Sequence, residues 1–260
     1  MIEPVRRFVA CVALLALMVL AALGGARMAR ADGPKTETVQ YPNGKDTLSG
    51  FVATPEKAGK YPALVVIHEW WGLNDWVKDE TTKLADQGFV ALAVDLYRGK
   101  VAADASDAHE LSRGLSNDRA ISDMNAAFAY LATRPDVDAQ RIGAIGWCMG
   151  GGFALQLAIH QPRLRAVVVN YGALPTDPGD MAQIAAFVLG NFGAEDKGIT
   201  PDDVHAFEKT MRAQGKFVDL KIYDGAGHAF ENPNNTNGYR AEAAADAWNR
   251  SVDFLKKALK

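Results

Sequence analysis

An α/β fold, with a mostly parallel central sheet, helices on both faces and a single domain, is predicted from three features of this chain. Short apolar runs alternate with helical runs along its length. The runs Pro62 to His68, Phe89 to Tyr97 and Ala166 to Tyr171 are largely apolar, as strands covered on both faces are. A sharp Gly146-Trp147-Cys148-Met149-Gly150-Gly151 turn joins a β-rich run to a helical one. With 260 residues, 48% of them hydrophobic, the chain can bury one substantial core. No internal repeat, low-complexity tract or Pro/Ser-rich linker divides it.

The first segment is read as an export signal rather than as part of the fold. Arg6 and Arg7 precede the apolar run Phe8 to Leu23, and Ala29-Arg30-Ala31 supplies the small residues that a signal peptidase reads. An uncleaved anchor is the alternative, but the run is short for spanning a bilayer. The arginines abut Phe8 without twin-arginine spacing, and Cys11 lacks a lipoprotein context. Residues 1–31 are therefore predicted to be a cleaved signal peptide, with a domain over 32–260 and a periplasmic or secreted product. Cleavage would take the formal net charge from −3 to −6. The mature chain then lacks a basic stripe for nucleic acid, and a soluble monomer without stable membrane association is expected.

Thr36 to Ala53 reads as two strands around Pro42-Asn43-Gly44-Lys45. After the strand Pro62 to His68, Asn74 or Asp75 can cap a helix that runs to about Gln87 and is closed by Gly88. The strand Phe89 to Tyr97 follows, then helices over Ala105 to Leu115 and Asn117 to Thr133. Asp136 to Gln140 connects to the strand Arg141 to Ile145, and Phe153 to His160 reads as helix. Strands are expected at Ala166 to Tyr171, Ala186 to Phe192 and Phe217 to Tyr223, with helices at Pro201 to Gln214 and Arg240 to Leu259. Pro201 suits a first helical turn. In such a sheet ligands bind beyond the carboxyl ends of the strands, so the loops after Ile67, Val94, Trp147, Tyr171, Phe192 and Tyr223 should converge.

Strand, Gly-x-Cys-x-Gly, helix is the layout of a nucleophile elbow carrying a thiol. The glycines leave room for close backbone approach, and the helix N-terminus favours a thiolate. A buried core cysteine is the bland alternative. Signal cleavage would leave Cys148 as the only cysteine, so no intrachain disulfide could form, and a lone thiol in an oxidising compartment is a liability unless buried or used. A nucleophile needs a base, and the base an orienting acceptor. His228, in the glycine-rich loop after the last strand, is the best base. His205 and His160 lie on helices, His109 in a polar helix, and His68 ends a strand. Asp196 is the acid candidate, with Glu195 a close competitor on spacing alone and Asp224 a weaker one. No metal site is expected, because Gly72 stands where a zinc protease would place its second histidine after His68-Glu69. The absence of CxxC, phosphate-loop and dinucleotide motifs predicts no cofactor.

The order Cys148, Asp196, His228 is that of α/β hydrolases. Across the mature chain the sequence resembles the dienelactone hydrolase (carboxymethylenebutenolidase) family. The resemblance rests on His68-Glu69-Trp70-Trp71-Gly72, Asp95-Leu96-Tyr97, the Cys148 elbow, Gly193-Ala194-Glu195-Asp196 and Gly227-His228-Ala229-Phe230. It implies the α/β-hydrolase fold, a triad of Cys148, Asp196 and His228, and an oxyanion hole from the backbone N–H groups of Trp70 and Met149. It also implies that Glu69 contacts the resting thiol and is displaced when substrate enters. A carboxylate beside a thiol opposes thiolate formation in any case.

The sequence departs from the family at substrate recognition. Members carry an arginine shortly after Asp-Leu-Tyr and another shortly after the His-x-Phe segment, together gripping a substrate carboxylate. Here Arg98 follows Tyr97 directly, and Glu231-Asn232-Pro233 contains no arginine. A bidentate carboxylate clamp is therefore not expected, and Arg98 reads more readily as a loop ion-pair residue. Trp71, Arg98, Trp147 and Tyr171, with Trp70, remain the pocket candidates. The expected activity is ester or lactone cleavage on a small molecule through a thioester. A thiol-reactive redox or ligand-binding protein on the same scaffold is the alternative.

Overall fold

The computed structural model describes residues 33–260; the predicted signal segment, residues 1–31 with Cys11, lies outside them. Strands β1 (Lys35–Asn43) and β2 (Asp46–Thr54) form an antiparallel hairpin closed at Asn43↔Asp46. Gly44 takes the positive φ of +61° that the two-residue loop requires. The strand thus includes Pro42 and Asn43, which the sequence assigns to the turn. β2 continues the sheet antiparallel to β4 (Val90–Val94). β4, β3 (Tyr61–Ile67), β5 (Val137–Trp147), β6 (Ala166–Asn170), β7 (Phe187–Gly193) and β8 (Val218–Tyr223) are all parallel. The eight-stranded order is β1-β2-β4-β3-β5-β6-β7-β8.

Among the described residues seven helices cover this sheet: α1 (Asp75–Asp86), α2 (Ala105–Arg113), α3 (Asn117–Thr133), α4 (Met149–His160), α5 (Pro178–Gln183), α6 (Pro201–Ala213) and α7 (Ala241–Ala258). Their apolar faces make two cores, because side chains alternate across each strand. Val65 and Ile67 of β3 pack with α3, α4 and α6, through residues such as Met124, Leu155 and Phe207. Leu64 and Val66 pack on the other face with α1 and α7, through Val77, Leu84 and Leu255. α1 starts where Asn74 accepts from the Val77 N–H at 3.1 Å, the expected cap.

Three local readings change. β5 begins at Val137, because Val137 pairs with Tyr61 before a register shift and the polar stretch to Gln140 rides through the irregularity. α4 begins at Met149 instead of Phe153, since packing against β3 and β6 overrides the poor helix propensity of Gly150, Gly151 and Gly152. α5 was not expected at all: six residues carry no helical period to detect, although Asp177 accepts from the Gly179 N–H at 2.7 Å and Pro178 opens the turn.

The chain leaves β3 toward β4 on one side and returns through β5 on the other. The crevice beyond their carboxyl ends is the switch point where open α/β sheets bind ligands.

Candidate active site

Cys148 stands between β5 and α4 at φ +53° and ψ −121°, backbone angles that a side chain adopts only when its surroundings enforce them. The enforcement is visible. The Cys148 N–H donates to the Asn170 carbonyl at 3.0 Å, and the Cys148 carbonyl accepts from Gly151 and Gly152. A Cβ on Gly146 would collide with the Gly150 carbonyl, and one on Gly150 with the carbonyls of Ile67 and His68. The elbow therefore presents a partly exposed thiol at the head of a helix.

The loop after β8 brings His228 to that thiol, with Nε2 3.0 Å from Sγ. Nδ1 lies 2.7 Å from Asp196 Oδ2 in the loop after β7. The other oxygen of Asp196 accepts from the Gly198 and Ile199 N–H groups at 2.8 and 3.1 Å. Burial alone would raise the Asp196 pKa; the His228 ring and these two amides outweigh it and hold the carboxyl below its usual range. Burial likewise disfavours a charged His228, but the Asp196 carboxylate and the Cys148 sulfur lift the imidazole to about 10. Glu195 and Asp224 are exposed, and the carboxylate hydrogen-bonded to the ring is that of Asp196.

Trp70 and Met149 lie where the loop after β3 meets the start of α4. Among the described residues neither backbone N–H has a protein acceptor, leaving both able to donate to a bound oxygen. His68 fixes the approach: its ring, buried completely, contacts the Glu69 carbonyl through Nδ1 at 2.6 Å and accepts from the Leu96 N–H through Nε2 at 3.3 Å. Burial pushes the His68 pKa down, so the ring serves as a neutral strut.

Glu69 is only 2% exposed. Its carboxyl accepts from Asn232 Nδ2 at 2.7 Å and from the Tyr171 hydroxyl at 3.4 Å. The sulfur is hydrogen-bonded to His228 instead, so the contact between Glu69 and the resting thiol implied by the resemblance is not the one found here. Burial raises the Glu69 pKa to about 7 against the pull of Asn232. For an acid raised in the folded state, the stabilising contribution is present below the ordinary value near 4.5 and is lost as pH rises toward 7. Glu69→Gln should therefore match the wild type near pH 4. Above pH 7 it should be more stable, by up to about 3 kcal/mol, as read from urea midpoints across that range.

A cleft of about 870 Å³ opens over the thiol. Trp70, Trp71, Val101 and Ala102 line it, as does the segment Asn234 to Thr236. Three of the pocket candidates lie elsewhere. Trp147 is in the core against Trp76, because β5 points it to the α1 and α7 face, where its Nε1 donates to Glu231 at 3.2 Å. Tyr171 is fully buried behind His228, edge-on to its ring at 5.3 Å. Arg98 turns away to the buried Asp123. Nη2 donates to Oδ1 at 3.0 Å, and Nη1 lies 2.8 Å from Oδ2 as an ionic contact without hydrogen-bond alignment. Arg98→Ala should therefore cost about 3 kcal/mol in urea unfolding, by leaving that carboxylate without its cation.

Asn232 was not foreseen. It is 3% exposed and ties Glu69 to the turn after His228, accepting from the Asn234 N–H through Oδ1 at 2.9 Å. Its place four residues after His228 was the only available signal.

Comparison with known proteins identifies the family and the fold. The model of the Dienelactone hydrolase family matches residues 48–259. A Bradyrhizobium sp. protein named a probable 2-oxo-3-(5-oxofuran-2-ylidene)propanoate lactonase is 35% identical over 227 residues, which cover 82% of this chain and 90% of that protein. A Yersinia pestis protein provisionally named carboxymethylenebutenolidase is 33% identical over 228 residues, covering 82% and 85%. Among solved structures, the dienelactone hydrolase-like promiscuous phosphotriesterase P91 from metagenomic libraries superposes with a TM-score of 0.81 at 28% identity. That match covers 88% of this chain and 100% of P91.

Proposed function

The chain belongs to the dienelactone hydrolase family and is a hydrolase of esters or lactones; from that premise we propose that it works through a Cys148-His228-Asp196 triad and a thioester intermediate. The observation that carries this reading is the line of sulfur, imidazole and carboxylate at 3.0 and 2.7 Å. Cys148 attacks the scissile carbonyl while the proton it shares with His228 resides on the ring. The N–H groups of Trp70 and Met149 bind the oxygen that becomes negative, each contributing roughly 3 kcal/mol to the barrier reduction. Imidazolium then protonates the departing alkoxide, or the alkoxide end of an opened lactone, and an acyl-Cys148 thioester remains. Neutral His228 next takes a proton from water, the hydroxide attacks the thioester, and the tetrahedral species collapses to free acid and thiol. Asp196 keeps Nδ1 protonated and balances the imidazolium throughout.

A 4-nitrophenyl ester tests this directly. A burst of nitrophenol equal to the enzyme concentration supports an acyl-enzyme. Turnover without sensitivity to thiol alkylation would remove Cys148 from the chemistry, and thiol reactivity without turnover would favour the redox alternative. We further assign residues 1–31 to an export signal, giving a periplasmic or secreted monomer acting on a small molecule. Intact mass of the exported protein should show Asp32 as its first residue, and a mass retaining Met1 or the apolar run would reject cleavage.

A further inference from the structure

We propose that the cleft selects uncharged esters and lactones with an aryl or alkyl acyl group, and disfavours substrates whose acyl group carries a carboxylate. This rests on the hydrolase reading above and adds the substrate class.

The argument is electrostatic and begins with what surrounds the thiol. Among the described residues lining the cleft, His228 is the only one able to carry a positive charge, and it already faces Asp196 and the sulfur. Arg98, the nearest arginine to the loop after β4, is held by Asp123. Lys100 and Lys197, next in sequence to Val101 and Asp196, do not line the cleft. A substrate carboxylate entering here would lose water and meet no cation that is not already paired.

It would also meet Glu69, which lines the same cleft. The direct partners of Glu69 are uncharged: its carboxyl is held by the amide of Asn232 and the hydroxyl of Tyr171. The positive field that reaches it is that of His228, which already faces Asp196 and the sulfur. An amide donates a hydrogen bond but supplies no charge, so the field of an ionised Glu69 is offset in the cleft only by His228, whose charge Asp196 and the sulfur already share. Asn232 thereby acts as a specificity-setting residue through the partner it holds.

The rest of the wall suits an apolar group. Trp70 and Trp71 pack edge to face at 5.0 Å, and Trp70 packs on His109 at the same distance, which stiffens that side. Val101 extends it with 51% of its surface exposed. Asn235, also in the lining, is occupied in holding the His228 and Ala229 carbonyls. A rigid aromatic wall and an uncharged polar rim match a neutral aryl or alkyl ester.

The test compares methyl 4-nitrophenyl glutarate with mono-4-nitrophenyl glutarate at pH 8.5, each rate corrected for spontaneous nitrophenol release. The two share the scissile ester and differ only in a methyl ester or free carboxylate at the far end. The methyl ester should show kcat/KM roughly tenfold or more above the free acid, the gap lying mainly in KM. Glu69→Gln, which removes the facing charge, and Val101→Arg, which adds a cation on the exposed rim, should each narrow the gap several-fold. The Val101→Arg effect should fade at high salt. Equal or better turnover of the free acid by the wild type overturns the proposal, as does a gap that neither substitution narrows. Absence of Cys148-dependent nitrophenol release, burst or steady-state, with both esters is a separate result: it rejects the hydrolytic mechanism itself.

Discussion

Cys148→Ala should lower kcat/KM for an activated ester by about 10⁴-fold or more, with no nitrophenol burst and a folded protein. The size follows from the division of labour in the site. Without sulfur no thioester can form, and the Trp70 and Met149 amides can only assist direct attack by water. The fold should survive because the substitution removes one partly exposed atom and leaves a Cβ at the same strained position, φ +53°. A second readout ties the loss to the proposed pairing. The sulfur is one of the two partners that lift the His228 imidazole to about 10, so in the alanine variant the ring should titrate lower by NMR while Asp196 still holds Nδ1. Unchanged esterase activity would discard Cys148 as nucleophile. Unchanged titration would mean that the ring and sulfur are not coupled in solution.

Gly150→Ala should be among the most damaging small substitutions in the fold. Alanine in place of glycine inside a helix ordinarily stabilises by about 1 kcal/mol. Here the sign reverses. The added methyl would collide with the Ile67 and His68 carbonyls at the end of β3, and neither backbone can yield without opening the β3·β5 pairing, in which Ile67 faces Gly146. We expect a loss of about 3 kcal/mol or more in urea unfolding. A relaxed α4 would also carry Met149 away from Trp70, so kcat/KM should fall by about 10²-fold in the protein that remains folded. Gly152→Ala is the control, because its methyl meets Ala173 Cβ at 3.3 Å and no strand backbone. A Gly150→Ala protein as stable and active as the Gly152→Ala protein would show that the close approach does not position the elbow.

How legible the molecule was depends on how local each signal is. The parallel strands were readable because strands buried on both faces must be apolar throughout, as Val65, Leu92 and Val168 are. The elbow was readable because its glycines and cysteine occupy six consecutive residues. The short helix at Pro178–Gln183 was not, since six residues hold no period. Neither was the role of Trp147 or Tyr171: an aromatic ring beside a nucleophile suits a pocket wall or a core equally, and only the facing of β5 and the packing behind His228 decide. Arg98 shows the same dependence, its partner Asp123 lying on α3.

Residue order and local pattern determined the fold class and the candidates Cys148, Asp196 and His228, and the resemblance of a few short segments pointed to the family, because strand burial and turn sterics are written over short distances. Tertiary structure decided which carboxylate the imidazole meets, Asp196 and not its neighbour Glu195. It also decided that Asn232 holds Glu69 across 163 positions of chain, and that the cleft carries no free cation among its described lining. These outcomes depend on distances of a few ångströms between segments far apart in sequence. Coulombic and hydrogen-bond energies fall away over that scale, so no local pattern encodes them.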